Sequence, residues 1–361
     1  FGKQELTKRL VGKVSFLISD QTFFPKRIFK GKKSNVTKGR EEGSLKGITN
    51  NTEITFFECE MSESQSKVYN EIEKTDQHGL FNIFTESSLI VYPGGSYGQL
   101  GFKRNINTKG PNKFLNIKMI KEYSTKLYYL LKNLENAKGP CFIYSNTVTM
   151  GGIELVKYAL RENGYTSNPR VNLPRFVSIN DIPTEKGIVN TLAKFNSYEN
   201  RHGDLIKILL GGPMISEGVT LKNQAQIHIL DPYWDFSRIQ QIIGRGVRFK
   251  SHYDLPEKDR VVEVYLYSAI PYKNGKIPDY NSSIDYLKYQ LSLKKDHSIK
   301  EVEYIIKRTA FDCHLNFEKN TPNGKDYSRE CQYKKCKYTC IKPKPKAPID
   351  ATMLKSVNCA G

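Results

Sequence analysis

From residue 118 onward, short apolar runs alternate with segments in which apolar residues recur at helical spacing. The helical pattern occurs in residues 118–135, 153–163, 187–196 and 237–246. Short runs typical of buried strands occupy residues 139–145, 176–179, 205–210, 227–230 and 260–267. This alternation predicts an α/β fold over residues 118–270, with a parallel sheet covered by helices on both faces.

The N-terminal segment, residues 1–117, is more polar and is predicted to be a linker and insertion region. A helix is expected over residues 62–75, with Ser62 as its N-cap. The basic stretch 26–40 is interpreted as a loop or arm, and the glycine-rich stretch 94–102 as a flexible surface loop.

Residues 271–361 are predicted to form a C-terminal extension with a helical region near 283–307 and a basic, cysteine-containing tail. Three of the cysteines lie within ten residues, and a fourth lies upstream. Four thiolates can complete a tetrahedral Zn²⁺ site, and the candidate ligands are Cys313, Cys331, Cys336 and Cys340. The alternative interpretation is a tail that carries reduced, exposed cysteines.

The chain of 361 residues is strongly basic, because 56 Lys and Arg against 37 Asp and Glu give a formal net charge of +19. Such an excess favours a polyanionic partner, since neutralising phosphates releases counterions. A lysine-rich, AT-biased genome would produce the same excess without such a partner. The seven cysteines do not resemble a secreted disulfide framework, so an intracellular, reducing location is expected.

Neither a transmembrane span nor a signal peptide is indicated, because the sequence contains no apolar run of about eighteen residues and no apolar N-terminal core. The chain begins at Phe1 rather than at a methionine, which suggests a fragment of a longer polypeptide.

A predicted buried strand runs into a loop of small residues over positions 209–223. In open parallel sheets, ligands bind at the carboxyl ends of the strands. Small residues at Gly212, Ser216 and Gly218 would let a phosphate or a ribose approach the main chain closely. Taken alone, this segment is equally consistent with an ordinary connecting loop.

The stretch 231–248 predicts a helix capped by Ser237 that presents two arginines and a glutamine on one face. Gln241, Arg245 and Arg248 lie at positions i, i+4 and i+7. Guanidinium groups stay charged and can stabilise the charge that develops during phosphoryl transfer. Glycines at 244 and 246 cost about 1 kcal/mol each in a helix, which indicates that another surface approaches closely.

The Gln-x-x-Gly-Arg-x-x-Arg pattern of residues 241–248 resembles motif VI of superfamily 2 helicases. Residues 216–223 resemble motif V and residues 139–146 resemble motif IV, in the order typical of a second RecA-like lobe. Residues 195–200 and 248–256 are similar to a narrower group. That group contains the small subunit of the poxvirus early transcription factor and nucleoside triphosphate phosphohydrolase I, with relatives in asfarviruses, giant viruses and linear cytoplasmic plasmids.

The resemblance implies a role for each matching residue. Arg245 and Arg248 of motif VI would reach the γ-phosphate of ATP, and Gln241 would help to position that contact. Positions near the remainder of the nucleotide would be Gly218, Thr220 and Gly244. The nucleic-acid backbone would be contacted by Asn146, Gly212 and Ser216.

The sequence contains neither the Gly-x-x-x-x-Gly-Lys-Ser/Thr pattern nor an Asp-Glu-x-His or Asp-Glu-Ala-Asp box. The phosphate cradle, the Mg²⁺ ligand and the water-activating carboxylate would therefore belong to a first lobe. We expect the chain to be the C-terminal half of an ATP-dependent translocase or helicase that hydrolyses ATP poorly alone.

The resemblance further implies a role in viral transcription. The expected partners are nucleic acid (DNA rather than RNA), the first lobe and a viral RNA polymerase or transcription-factor large subunit. The expected location is the host cytoplasm or the virion. The competing hypothesis is a non-catalytic, degenerate lobe that binds nucleic acid or polymerase.

Overall fold

The computed structural model describes residues 2–18, 23–35, 53–72, 80–216, 219–275, 277–322 and 324–342. The chain divides into two compact units, one formed by residues 21–296 and the other by residues 1–20 with 297–361. The three segments predicted from the sequence do not coincide with these units, because strands between residues 26 and 60 join the sheet of the central segment.

The larger unit is built on an eight-stranded sheet, with a separate two-stranded hairpin. The strands are β1 (Lys26–Lys30), β2 (Lys32–Asn35), β3 (Glu53–Glu60), β4 (Cys141–Tyr144), β5 (Phe176–Ser178), β6 (Ile208–Gly211), β7 (Gln226–Ile229), β8 (Val261–Ile270), β9 (Tyr272–Lys273) and β10 (Ile277–Pro278). The strand order is β2-β3-β8-β7-β4-β6-β5, and β1 pairs with the first half of β8. All pairs in the large sheet are parallel except β2 with β3.

Helices cover both faces of this sheet, as the alternation of patterns predicts. The described helices are α1 (Lys3–Leu10), α2 (Glu63–Glu71), α3 (Leu80–Leu89), α4 (Gly98–Asn105), α5 (Ile120–Tyr123), α6 (Thr125–Glu135), α7 (Ile153–Glu162), α8 (Glu185–Phe195), α9 (Phe236–Gly246) and α10 (Ile284–Thr309). Strand β4 is buried throughout, with Cys141 and Ile143 facing the core under α6 and α7. Its alternate residues Phe142 and Tyr144 face the core under α9 and the first half of α10. The α/β, RecA-like fold class is therefore confirmed.

Two expectations for helices hold in outline and change in detail. Ser62 caps α2 as predicted, accepting a hydrogen bond from the backbone of Gln65. The helix expected over 118–135 is divided into α5 and α6, because the hydroxyl of Ser124 caps a new helix by accepting from the backbone of Leu127.

Two predicted loops are wrong. The basic stretch 26–40 contributes β1 and β2, because its backbone pairs with β8 and β3. The stretch 94–102 has a turn at Gly94 and Gly95, both with positive φ, but α4 begins at Gly98. Gly101 is buried there, and a Cβ on it would lie 2.5 Å from a ring atom of Tyr92. Close packing, rather than flexibility, requires this glycine.

The smaller unit contains α1, the end of α10 and the tail. The predicted zinc site and the expectation of reduced cysteines are both wrong here, because the cysteines form the disulfides Cys313–Cys340 and Cys331–Cys336. Among the described residues there is no group of three or more His, Cys, Asp or Glu side chains that could hold a metal ion. None of the described helices is long and apolar enough to cross a membrane.

Candidate nucleotide and nucleic-acid interface

Helix α9 is held against the sheet by a buried stripe that includes Ile239, Ile242 and Ile243. Its N-cap is Asp235, whose side chain accepts a hydrogen bond from the backbone of Ser237. The predicted cap at Ser237 is therefore wrong by two residues, because the shorter Asx-type bond begins the helix earlier.

The structure brings together Arg248 and Thr220, two residues assigned to different motifs. Arg248 lies beyond the end of α9, so helical periodicity does not place it. Its Nε donates to the carbonyl of Gly244 at 3.0 Å, and its Nη1 donates to Oγ1 of Thr220 at 2.7 Å. These two hydrogen bonds hold the guanidinium between the end of α9 and the motif V segment that contains Thr220. We call this contact the Thr220–Arg248 pair.

The backbone around Thr220 is held by two further contacts. The side-chain amide of Asn196 donates to the carbonyl of Thr220 at 2.8 Å and accepts from the backbone of Lys222 at 2.7 Å. The backbone of Leu221 donates to the carbonyl of Arg245 at 2.8 Å. In the sequence, Asn196 contributes only to the resemblance to the narrower viral group. Its contacts with Thr220 and Lys222 are tertiary, so no local sequence pattern predicts them.

The other motif VI residues differ in exposure. Gln241 is exposed, whereas Arg245 is buried with 8% of its surface accessible. The single arginine face expected from the spacing therefore separates into an exposed glutamine, a buried arginine and a half-buried Arg248.

The two motif VI glycines also have different surroundings. A Cβ on Gly246 would lie 3.0 Å from side-chain atoms of Gln224 and Ile227, so α9 packs closely on the start of β7 there. A Cβ on Gly244 would meet no described atom within 4 Å. Only Gly246 is explained by close packing within the described part of this lobe.

The residues expected to touch nucleic acid lie at the carboxyl ends of β4 and β6. The side-chain amide of Asn146 accepts from Tyr144 Oη and donates to the carbonyl of Asp231, while its backbone N–H donates to the Asp231 carboxylate at 3.0 and 3.1 Å. Gly212 is buried, and a Cβ there would lie 2.5 Å from Cγ2 of Val148. Both residues thus have structural roles within the fold.

Ser216 and Gly218, two predicted site residues, lie at or beyond the end of the described segment that precedes Val219. Ser216 ends the 3₁₀ turn Pro213–Ser216, and its side chain lies outside the described residues. Gly218 also lies outside them.

Beneath this edge lies a buried network of charged side chains. Lys126 and Asp285 form an ion pair at 2.6 Å with neither side chain exposed, and Asp231 is also buried. Burial raises the pKa of the Asp231 carboxyl, and the positive charges of Lys126 and Lys288 oppose that shift. Charges on the loop after β7, on α6 and on α10 therefore interact within the buried interior.

Comparison with known proteins gives consistent relatives, although no protein-family model matches the chain. A protein of Invertebrate iridescent virus 3 named as a candidate helicase, 087L, is 31% identical over 321 residues, covering 83% of this chain and 32% of that protein. A protein of Acanthamoeba polyphaga mimivirus named as a candidate ATP-dependent RNA helicase, R563, is 31% identical over 286 residues, covering 73% of this chain and 47% of that protein. A termination factor NPH-I homolog of African swine fever virus is 29% identical over 238 residues, covering 54% of this chain and 33% of that protein.

Among solved structures, the C-terminal part of the Fun30 ATPase domain matches with a TM-score of 0.43 and 12% identity, covering 70% of this chain and 96% of that one. That likeness is too loose to identify a fold or a function.

The mostly parallel sheet and the helices on both of its faces give an α/β, RecA-like fold. The relatives are viral proteins named as helicases, together with an asfarvirus homolog of the termination factor NPH-I, and the chain is similar to them over 54% to 83% of its length. The chain spans between about a third and a half of the length of these curated relatives.

Proposed function

We propose that this chain is the second lobe of an ATP-driven translocase or helicase that acts on nucleic acid in viral transcription, with the segments that resemble motifs IV, V and VI in residues 118–270. A first lobe would hold ATP and Mg²⁺, and Arg248 would stabilise the charge on the transferring phosphoryl group. The single observation that carries this proposal is the Thr220–Arg248 pair, which holds a guanidinium across two motifs.

The Thr220–Arg248 pair is better suited to contact a ligand than Asn146 and Gly212, the described residues that were predicted to contact nucleic acid. Thr220 and Arg248 are both half-buried, so their polar groups remain reachable from one side. Arg245, which is buried, would act by supporting the motif V backbone through its carbonyl, since the backbone of Leu221 donates to it. The names of the relatives and the net charge of +19 support nucleic acid as the polymer. A viral RNA polymerase or transcription-factor subunit is the proposed protein partner, in the host cytoplasm or the virion.

The test is ATP hydrolysis by a polypeptide in which this chain follows a first RecA-like lobe, measured with and without nucleic acid. Loss of an arginine that stabilises phosphoryl transfer costs about three to five orders of magnitude in kcat, so Arg248→Ala is expected to abolish stimulated hydrolysis. Arg170→Ala, at an exposed loop arginine, is the matched control and should leave hydrolysis unchanged.

Hydrolysis that survives Arg248→Ala would overturn the proposal. Absence of stimulated hydrolysis in the unsubstituted polypeptide, with nucleic-acid binding retained, would favour the non-catalytic module instead.

A further inference from the structure

Three aromatic rings of the larger unit form an exposed cluster. The ring centroids of Phe23 and Phe249 lie 5.5 Å apart, and those of Phe23 and Tyr253 lie 6.5 Å apart. Phe23 is 42% exposed, Phe249 54% and Tyr253 53%. Exposed apolar side chains are usually scattered singly, so three contacting rings indicate a binding surface.

Two cations belong to the same surface. The ammonium of Lys250 lies 5.6, 5.2 and 5.4 Å from the centroids of Phe23, Phe249 and Tyr253. The guanidinium of Arg260 lies 4.6 Å from the centroid of Tyr253. Aromatic faces beside positive charge suit a ligand that combines a flat π-system with anionic groups, as a nucleobase joined to phosphate does.

The backbone holds this arrangement in place. Lys250 has a φ of 57°, which is uncommon for a residue other than glycine, and its N–H donates to the carbonyl of Phe23 at 2.9 Å. Phe23 lies just before β1, and Lys250 lies in the segment that leads into β8. These two strands pair from Lys26 and Val261 onward. The cluster is therefore built on the sheet rather than on a free loop.

The ring cluster lies at the amino ends of the parallel strands, where the Thr220–Arg248 pair also lies. Phe249 directly follows Arg248, and the backbone of Asn223, just before β7, donates to the carbonyl of Ser251 at 3.0 Å. Asn146 and Gly212 instead follow the carboxyl ends of β4 and β6, at the opposite edge of the sheet. This placement favours a mononucleotide over a polynucleotide strand at the rings.

We infer that the ring cluster of Phe23, Phe249 and Tyr253, with Lys250 and Arg260, binds the nucleobase of the nucleotide whose phosphates lie at Arg248. This inference rests on the proposed function and extends it, because it assigns the base-recognition surface to this lobe. Recognition by stacking accepts any base, so the site is expected to take ATP and GTP with similar affinity.

The experiment is saturation-transfer NMR on the 361-residue chain with millimolar ATP. Stacking on an aromatic side chain contributes about 1–3 kcal/mol per base, so Phe249→Ala and Tyr253→Ala should each weaken apparent ATP affinity about 5- to 150-fold. In both alanine variants, the saturation transferred from the protein to the base protons H2 and H8 of ATP should fall strongly. Phe249→Tyr retains a ring and should rescue binding, while Phe311→Ala, at a 68% exposed ring of the other unit, should change nothing.

Inorganic tripolyphosphate, which has no base, distinguishes the rings from the phosphate contacts. Its own dissociation constant, measured without ATP, should rise in Arg248→Ala and be unchanged in Phe249→Ala. Base-proton saturation that persists in both ring variants, or no ATP binding by the unsubstituted chain, would overturn the inference.

A single-stranded oligonucleotide supplies the second arm. If Phe249→Ala weakens oligonucleotide binding and leaves ATP binding intact, the rings serve a strand and the inference is wrong. The proposed function fails through a different result, hydrolysis unaffected by Arg248→Ala, so the two failures are distinguishable.

Discussion

The two edges of the sheet use residues of the same family motifs in different ways. At the amino edge, Thr220 and Arg248 meet through side chains that remain half-buried, and the contact joins motif V to motif VI. At the carboxyl edge, Asn146 directs both its amide groups and its backbone N–H into Tyr144 and Asp231. At the amino edge the polar side chains remain partly exposed to solvent. At the carboxyl edge the polar groups of Asn146 are occupied by hydrogen bonds within the protein.

The difference shows that a motif match does not by itself distinguish a ligand contact from a positioning contact. Substitutions at the carboxyl edge should therefore act mainly on the free energy of unfolding. Substitutions at the amino edge should act mainly on nucleotide chemistry.

The largest expected change in stability is for Asp231→Ala. The carboxylate is buried and accepts from the backbone of Asn146, so its removal leaves that donor without its acceptor and takes away a negative charge that interacts with Lys126 and Lys288. We expect the free energy of unfolding to fall by about 3 kcal/mol, measured by urea denaturation. Asp231→Asn keeps one acceptor and should cost less. A loss below about 1 kcal/mol for the alanine variant would contradict the structural role of this edge.

Gly212→Ala is expected to cost about 1–3 kcal/mol, because its Cβ would lie 2.5 Å from Cγ2 of Val148. The second substitution Val148→Ala removes the colliding atom, so the double variant should recover most of the loss relative to Val148→Ala alone. If the double variant stays as unstable as Gly212→Ala, steric exclusion is not the reason for this glycine, and an open approach for a phosphate regains support.

Sequence patterns predict the central strands of the sheet, because buried parallel strands are short apolar runs bounded by turn residues, as at β4 and β6. They failed for β1 and β2, whose basic residues lie in strands stabilised by pairing with β8 and β3 rather than by their own composition. Tertiary hydrogen bonds override local propensity in such segments.

The candidate site was predictable in part. The pattern of motif VI marked Arg248, but the helix ends before it, and its position depends on Thr220 and Gly244. The roles of Asn196 and Asp231 arise from contacts across more than twenty residues, which a single sequence does not reveal. The cysteines were misassigned to zinc because spacing alone does not distinguish metal ligands from the disulfides of this tail.

At the amino edge, Thr220→Val removes the hydroxyl that accepts from Arg248 and keeps the side-chain shape. A part-exposed hydrogen bond is worth about 1 kcal/mol, so the stability loss should be small. The kcat of a polypeptide that joins a first lobe to this chain should fall much more, because Arg248 loses its fixed position. Thr220→Ser retains the hydroxyl and should preserve kcat. Equal kcat in the valine and serine variants would show that Thr220 does not position Arg248.

The smallest expected change comes from the paired glycines of motif VI. Gly244→Ala should raise the free energy of unfolding by about 0.5 kcal/mol, because alanine favours a helix and no described atom lies within 4 Å of the new Cβ. Gly246→Ala should lower it instead, since its Cβ would lie 3.0 Å from atoms of Gln224 and Ile227, both fully buried and unable to move freely. Thermal unfolding of the two variants checks the opposite signs. If Gly244→Ala is stabilising and also reduces ATP hydrolysis with a first lobe present, a nucleotide or the other lobe must approach this glycine. In that case Gly244, four residues before Arg248, would belong to the same ligand-contacting surface as the Thr220–Arg248 pair.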